Sequence, residues 1–249
     1  MCDGKQIIID RFNANVRGQR PVAQGNAKHD GKYGHWLERK MGSAIDGANE
    51  ADLFGYEMKC DTTSKTTFGD WSADYYIFKH TNSGLNRSQF LLIFGKPNMK
   101  KKGRPSWSGE PCPKITGYNR FGQILIVDND NNIYAVYSYS KDLRTDKEQI
   151  VPTKLQQNYL ILAKWGAEVI KKKLERKFNQ KGWFKCKLGR NGTYEKIAFG
   201  APINIDTWIE LVKQGIVFFD SGMYEGNIRP YSQWRANNSF WDSCIVEEY

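Results

Sequence analysis

The sequence predicts a mixed α/β fold, on three observations. Helical stripes and strand-like alternations are interspersed along the chain, which implies helices packed on a mixed sheet. The length of 249 residues allows one large domain or two small lobes with a substantial core. Aromatic residues are plentiful, eight of them Trp, and no low-complexity tract suggests disorder, so the chain should fold throughout.

Taken in order, residues 32–41 carry Tyr33, Trp36, Leu37 and Met41 at helical spacing, and Gly42 supplies the stop. Strands are expected at 56–60, 75–78 and 90–94. A Lys/Gly/Pro-rich loop around 100–113 then leads to strands at 123–127 and 133–137, joined by Asp128-Asn-Asp-Asn-Asn132 as a hairpin turn. That turn resembles part of a calcium loop but lacks the Gly and the terminal Glu of an EF-hand. The longest helix signal covers 153–178, with Leu155, Tyr159, Leu162, Ala163, Ile170, Leu174 and Phe178 among its apolar positions. Strands follow at 183–188 and 194–199 around Gly189-Arg-Asn-Gly192. Thr207-Trp-Ile-Glu210 reads as a capping box on a short helix ending at Gly215, and 216–219 as a buried strand.

A formal charge of +10 and a pI near 9.3 favour a polyanionic partner. The excess is localised. Between Lys164 and Arg190 stand ten Lys/Arg against Glu168 and Glu175, and a second cluster is Lys100-Lys-Lys-Gly-Arg104. A solvated helix face would explain the first cluster taken alone; two clusters together point to DNA or RNA. The five cysteines are scattered and odd in number, which suits a reducing compartment, and no C-x2-C pair suggests structural zinc. No apolar run is long enough to cross a bilayer, and the N-terminal Ile7-Ile-Ile9 run breaks off before a signal-peptide core forms. The expected location is the cytoplasm. No G-x4-G-K-[ST] run supports a P-loop enzyme.

The chemistry concentrates in Asp52-Leu-Phe-Gly-Tyr-Glu57-Met-Lys59. On a strand, side chains alternate, so Glu57 and Lys59 share one face while Tyr56 and Met58 point into a core. Gly55 lets the chain bend sharply between Asp52 and that strand. The two carboxylates, with the backbone oxygen of Met58, suit a hard divalent cation, with Lys59 beside the attacking water and the phosphorane. A metal-activated water displacing an ester oxygen is the chemistry of a nuclease. An amphipathic strand with surface charges produces the same spacing.

Upstream, Gly31-Lys-Tyr-Gly34-His-Trp-Leu37-Glu38-Arg-Lys-Met-Gly42 precedes the acidic motif by a short loop. Downstream, Gly215-Ile-Val-Phe-Phe-Asp220 is followed by Arg229-Pro-Tyr-Ser-Gln-Trp-Arg235. Together these runs resemble the PD-(D/E)XK nucleases of the MvaI/BcnI restriction type and the related mismatch-repair nickase MutH. In that group a G-x2-G-x-x-L-E helix precedes the acidic motif, and a C-terminal strand leads into an arginine-bearing loop that reads DNA. The middle of the chain is weakly matched, and Ala51 stands where the superfamily name has Pro.

The resemblance implies a nuclease core with a mixed sheet flanked by helices, plus a DNA-recognition lobe. We expect a single nuclease domain over 1–249, with residues 1–150 mainly catalytic and 151–249 mainly DNA-recognising. By resemblance Asp52 and Glu57 are metal ligands, Lys59 is the catalytic lysine and Glu38 supports the metal site. On its helix Glu38 follows Leu37 directly, at the edge of the apolar stripe, a position that also fits a surface glutamate. His29, His35 and His80 are read as exposed or satisfied rather than ligating.

For sequence recognition Arg229 and Arg235 are the candidates, since a guanidinium makes two hydrogen bonds to a guanine edge; Tyr231, Ser232, Gln233 and Asn237 add shorter donors and acceptors. The same arginines serve equally as phosphate grips. Lys101 and Lys171, in lysine runs without geometric specificity, are expected on phosphates. The reading is a magnesium-dependent type II restriction endonuclease acting on double-stranded DNA. The resemblance further implies 5′-phosphate products, action as a monomer and a GC-rich site of the CC-x-GG sort, with a cognate DNA methyltransferase in the same system. A MutH-like nickase and a non-catalytic DNA-binding module are the alternatives.

Overall fold

The computed structural model describes residues 3–22, 32–43, 49–60, 64–80 and 83–249. In chain order its elements are α1 (Gly4–Asn15), α2 (Lys32–Met41), β1 (Glu57–Cys60), β2 (Lys65–Asp70), β3 (Tyr75–Tyr76), α3 (Arg87–Phe94), β4 (Lys96–Asn98) and β5 (Arg104–Trp107). There follow β6 (Phe121–Val127), β7 (Ile133–Asp142), α4 (Lys147–Ile150), β8 (Leu160–Trp165), α5 (Ala167–Lys177), β9 (Trp183–Leu188) and β10 (Tyr194–Gly200). The last are α6 (Ile205–Lys213), β11 (Val217–Asp220), β12 (Met223–Tyr224), β13 (Gln233–Asn237), α7 (Asn238–Ser243) and β14 (Ile245–Glu248). The predicted mixture of helices and sheets is present. The chain divides into two compact units, one made of Met1–Thr66, Lys171–Asn204 and Ala236–Tyr249, the other of Thr67–Ile170 and Ile205–Arg235.

The first unit is built on a mixed sheet in the order β1-β9-β10-β14, with β1 parallel to β9 and the remaining pairs antiparallel. Alternation along these strands gives the sheet two different faces. On one, Phe184 and Cys186 of β9 and Ile197 and Phe199 of β10 form a core with Ile8, Ile9 and Phe12 of α1 and Trp36, Leu37 and Met41 of α2. Tyr56, Met58 and Cys60 pack against this core. On the other face, Trp183 and Lys185 of β9 are register partners of Glu57 and Lys59. Gly200 lies opposite Trp183 in that register, and a Cβ there would come 2.0 Å from the indole ring. Any side chain at this position would collide with the indole, so the close approach requires glycine.

The second unit contains an antiparallel sheet β3-β8-β7-β6 and two three-stranded sheets, β12-β5-β4 and β11-β13-β2, the last reaching the unit boundary. Its core is aromatic: Trp165 meets Phe219 and Trp234 with ring centroids 4.9 and 5.4 Å apart, while Trp107 meets Phe219 and Trp208 meets Trp234 edge-on. Such edge-to-face pairs suit ring quadrupoles. All eight Trp of the chain are buried. The end of β7 is fixed by a buried ion pair of Arg144 with Asp142, and Arg144 also donates to the Ile93 carbonyl of α3.

Several expectations need correction. Residues 90–94 are not a strand: they end α3, which is N-capped by Asn86 in a capping box with Gln89. An Asn-x-x-Gln pair before an apolar run is a helix-start signal, and it outweighs the β-type composition of Phe90-Leu-Leu-Ile-Phe94. The predicted helix over 153–178 is broken. Thr153–Leu155 is a 3-10 turn, β8 follows, and only Ala167–Lys177 is α-helical. Leu162, Ala163 and Trp165 satisfy strand burial as well as helical spacing, and β8 is claimed by pairing with both β7 and β3; tertiary pairing overrides local periodicity. Thr207 is not an N-cap, because α6 already begins at Ile205. The strand predicted at 75–78 closes after Tyr76 into a 3-10 turn, and that predicted from 216 starts at Val217. The Asp128–Asn132 hairpin is present: the Asp128 N–H donates to the Asn132 carbonyl, and Asn131 adopts a left-handed φ of 62°.

Candidate active site on the buried face of the first unit

The site starts from a tight turn. Leu53 and Tyr56 exchange backbone hydrogen bonds of 3.0 and 2.8 Å around Phe54 and Gly55, whose φ values are 50° and 86°. Left-handed conformation at both central positions is what a two-residue hairpin turn requires, and glycine accepts it at no steric cost. The turn folds Asp52 back beside β1, where its Oδ2 accepts the Met58 N–H at 2.7 Å. Because β1 is the edge of its sheet, that N–H has no strand to pair with among the described residues. In a pleated strand a residue's C=O lies on the same edge as its N–H, so the Met58 carbonyl faces the Asp52 side as well.

Glu57 and Lys59 point to the opposite face from Met58, as alternation requires, but that face is covered. Their exposures are 2% and 5%. The Lys59 ammonium donates to Glu57 Oε1 at 2.7 Å and lies over the rings of Phe178 and Trp241, 4.7 and 5.7 Å from their centroids. A second ammonium, that of Lys177 at the end of α5, stands 3.0 Å from the same Oε1. Glu57 Oε2 is buried and has no hydrogen-bond partner among the described residues. Burial raises the Glu57 pKa to about 7, against the lowering effect of Lys59 and Lys177, with Asp52 adding to the rise. Burial also pushes the Lys59 ammonium below its ordinary value, with Glu57 opposing.

This arrangement fits a divalent cation. A buried carboxylate oxygen without a donor is costly in isolation, and a cation resolves it. Asp52, whose charge acts on Glu57, and the Met58 carbonyl would supply further hard oxygens. Among the described residues no three His, Cys, Asp or Glu side chains gather as a metal cage. The groups that would hold such an ion are two carboxylates and a carbonyl, which would leave positions for water and phosphate. Glu38 is half-buried on α2, the helix whose Leu37 enters the core against which Met58 packs.

Two lysines of this site were legible only as charge. Lys177 and Lys185 belong to the basic stretch 164–190, yet Lys177 turns to Glu57, and Lys185 is fully buried, 3.1 Å from Asp242 of α7. The alternation Trp183, Lys185 on β9 is the one sequence signal that sets Lys185 on the covered face. Lys171 is half-buried on α5. His35 and His80 are exposed, and His29 lies outside the described residues.

In the second unit, Arg229 is 56% exposed, paired with Asp70 at 2.9 Å and stacked over Tyr231. Arg235 is more enclosed: its Nε donates to Gln233 Oε1 at 2.9 Å, its Nη2 contacts the same oxygen, and Asp220 lies 3.4 Å away. Ser232 is fully buried; Asn237, which belongs to the first unit, is exposed. The Lys101 ammonium sits 4.8 Å from the centre of the Tyr224 ring, beside Arg104 stacked on the same ring.

The whole chain aligns in fold with restriction endonuclease MvaI in its complex with cognate DNA substrate, at a TM-score of 0.63 over 100% of this chain and 98% of that one, with 12% sequence identity. At that identity the likeness is one of fold. The type II restriction enzyme ScrFI of Lactococcus lactis subsp. cremoris is 47% identical over 268 aligned positions, covering 99% of each chain. The family described as LlaMI restriction endonuclease matches residues 16–249, and the chain belongs to it. It is a type II restriction endonuclease, a site-specific deoxyribonuclease, which sets aside the nickase and the non-catalytic module. No helix among the described residues is long and apolar enough to cross a membrane.

Proposed function

We propose that this endonuclease is a magnesium-dependent enzyme of the PD-(D/E)XK type, with Asp52, Glu57 and the Met58 carbonyl holding the ion. The observation that carries the reading is the buried Glu57 Oε2, which has no hydrogen-bond partner among the described residues, on a carboxylate that feels the charge of Asp52. When bound, magnesium lowers the pKa of water and offsets charge at phosphorus. Asp52 and Glu57 orient what they bind, and the Met58 N–H keeps the Asp52 carboxylate from rotating. Lys59, held under Phe178 and Trp241, keeps a positive charge facing the phosphate in surroundings from which water is excluded. Glu38 acts indirectly. Glu38→Gln is expected to raise the magnesium concentration needed for half-maximal cleavage without moving the cut; an unchanged titration returns Glu38 to a surface charge.

The first unit is the catalytic lobe in this reading, and the second, with Arg229, Arg235, Tyr231, Gln233 and Lys101, is the DNA-recognition lobe. Arg229 and Arg235 read guanine edges; their aspartate and glutamine partners hold the guanidinium planes ready. Arg229→Ala is expected to weaken cognate binding by about 1–3 kcal/mol while sparing non-specific DNA. Lys101→Ala or Lys171→Ala should weaken both duplexes alike and reduce the salt slope by about one. Paired titrations on cognate and scrambled duplex check this, and equal losses for Arg229→Ala make it a phosphate clamp.

The enzyme acts as a monomer in the cytoplasm, on a short GC-rich site of the CC-x-GG sort, leaving 5′-phosphates, and a cognate methyltransferase protects the host. Purified protein incubated with magnesium and a plasmid of known sequence tests the reading once fragment ends are mapped. Unassisted double-strand cuts at one short GC-rich sequence are expected. Intact plasmid, or ends lacking a 5′-phosphate, would sink it.

A further inference from the structure

We infer that Lys177 fills the place a second cation would take beside Glu57, so that the active site holds one divalent ion; this rests on the metal-dependent reading above. Two-metal phosphodiesterases set their ions about 3.5–4 Å apart and share carboxylates between them. Here the bridging oxygens are already spoken for. Glu57 Oε1 faces two ammoniums, Lys59 at 2.7 Å and Lys177 at 3.0 Å. Asp52 Oδ2 is committed to the Met58 N–H. What remains is Glu57 Oε2, Asp52 Oδ1 and the Met58 carbonyl, and no third acidic or imidazole group among the described residues joins them as a cage.

Charge leads to the same count. Two carboxylates and two ammoniums cancel. One divalent ion leaves two positive charges to meet a phosphodiester, whereas two ions would leave four in a buried, poorly screened site.

Lys177 is also placed by construction. It is the last residue of α5, and the next residue, Phe178, is fully buried and donates its N–H to the Leu174 carbonyl. The end of that helix is stapled to the acidic turn: the Ala51 N–H donates to the Arg176 carbonyl at 3.1 Å, and the Lys181 N–H to the Gly55 carbonyl at 3.0 Å. The backbone that carries Asp52 therefore fixes the backbone that carries Lys177. A lysine whose role was only to offset the helix dipole would need no such address.

The test is a Mn2+ titration of the full chain, counting bound ions from the electron paramagnetic resonance of the free ion, with Asp52→Asn as the control that identifies active-site ions. One Asp52-dependent ion is expected in the wild type. Lys177→Gln should keep one ion and bind it about tenfold more tightly, because a repelling ammonium is gone. Lys177→Glu should bind two. A merely structural lysine would leave the count unmoved and loosen the site when removed. Thermal melting checks that each variant is folded, and Lys177→Gln carries the test if Lys177→Glu is not. Two ions in the wild type, one in a folded Lys177→Glu, or weaker binding in Lys177→Gln would overturn the assignment alone. No Asp52-dependent ion at all would remove the metal-dependent reading and this assignment with it.

Discussion

Asp52→Asn should reduce cleavage at least a hundredfold, roughly, while leaving the fold as stable as the wild type. The residue has two separable jobs. Its Oδ2 accepts the Met58 N–H at 2.7 Å and so closes the turn onto β1; its charge serves the proposed ion. Asparagine keeps a carbonyl oxygen for the first job and lacks the negative charge for the second. Loss of a charged ligand costs several kcal/mol of transition-state stabilisation, which is on the order of two or more decades in rate. Asp52→Ala should lose activity to the same extent and, in addition, about 1–3 kcal/mol of stability, the usual cost of removing a charged acceptor from a backbone donor. Single-turnover cleavage with chemical denaturation of both variants separates the two effects. Cleavage by Asp52→Asn within about tenfold of wild type would return the carboxylate to a turn-closing role.

How much of this was legible in the sequence depends on which distances decide it. The acidic turn was readable because it is local: a glycine at Gly55, a carboxylate three residues before it and an alternating strand after it fix the geometry within eight residues. The helix 32–41 and its stop at Gly42, which has a φ of 72°, were readable for the same reason. Periodicity failed where two patterns fit one stretch. Residues 153–178 carry apolar side chains at helical spacing, yet Gly166 interrupts them, and β7 and β3 both pair with the segment before it. No window of that segment contains its partners.

The same limit applied to the lysines. From composition, the stretch 164–190 is one basic surface, and for Lys171 that description still holds. Lys177 and Lys185 differ from their neighbours only in what lies across from them, Glu57 and Asp242, more than fifty residues away in each case. The chain recorded the alternation that turns Lys185 inward but not the acid that makes the burial tolerable. It also left unread that the face shared by Glu57 and Lys59 is buried, because the cover comes from Phe178 and Trp241, each far along the chain.

That cover sets the second large expectation. Glu57→Ala should cost about 3–5 kcal/mol of folding stability, beyond its loss of activity, because it leaves the Lys59 ammonium buried without its counter-charge. Lys59→Met should cost much less. Methionine has nearly the same length, fits between Phe178 and Trp241 as an apolar chain, and leaves Glu57 still facing Lys177 at 3.0 Å. The double variant Glu57→Ala, Lys59→Met should recover a large part of the loss of the single Glu57 change, since the orphaned charge is gone and only a cavity remains. Urea denaturation of the metal-free wild type, both singles and the double closes the cycle. A coupling below about 0.5 kcal/mol would mean that the two side chains are solvated independently, and the picture of a dry ion pair holding Glu57 Oε2 ready for its ligand would fail.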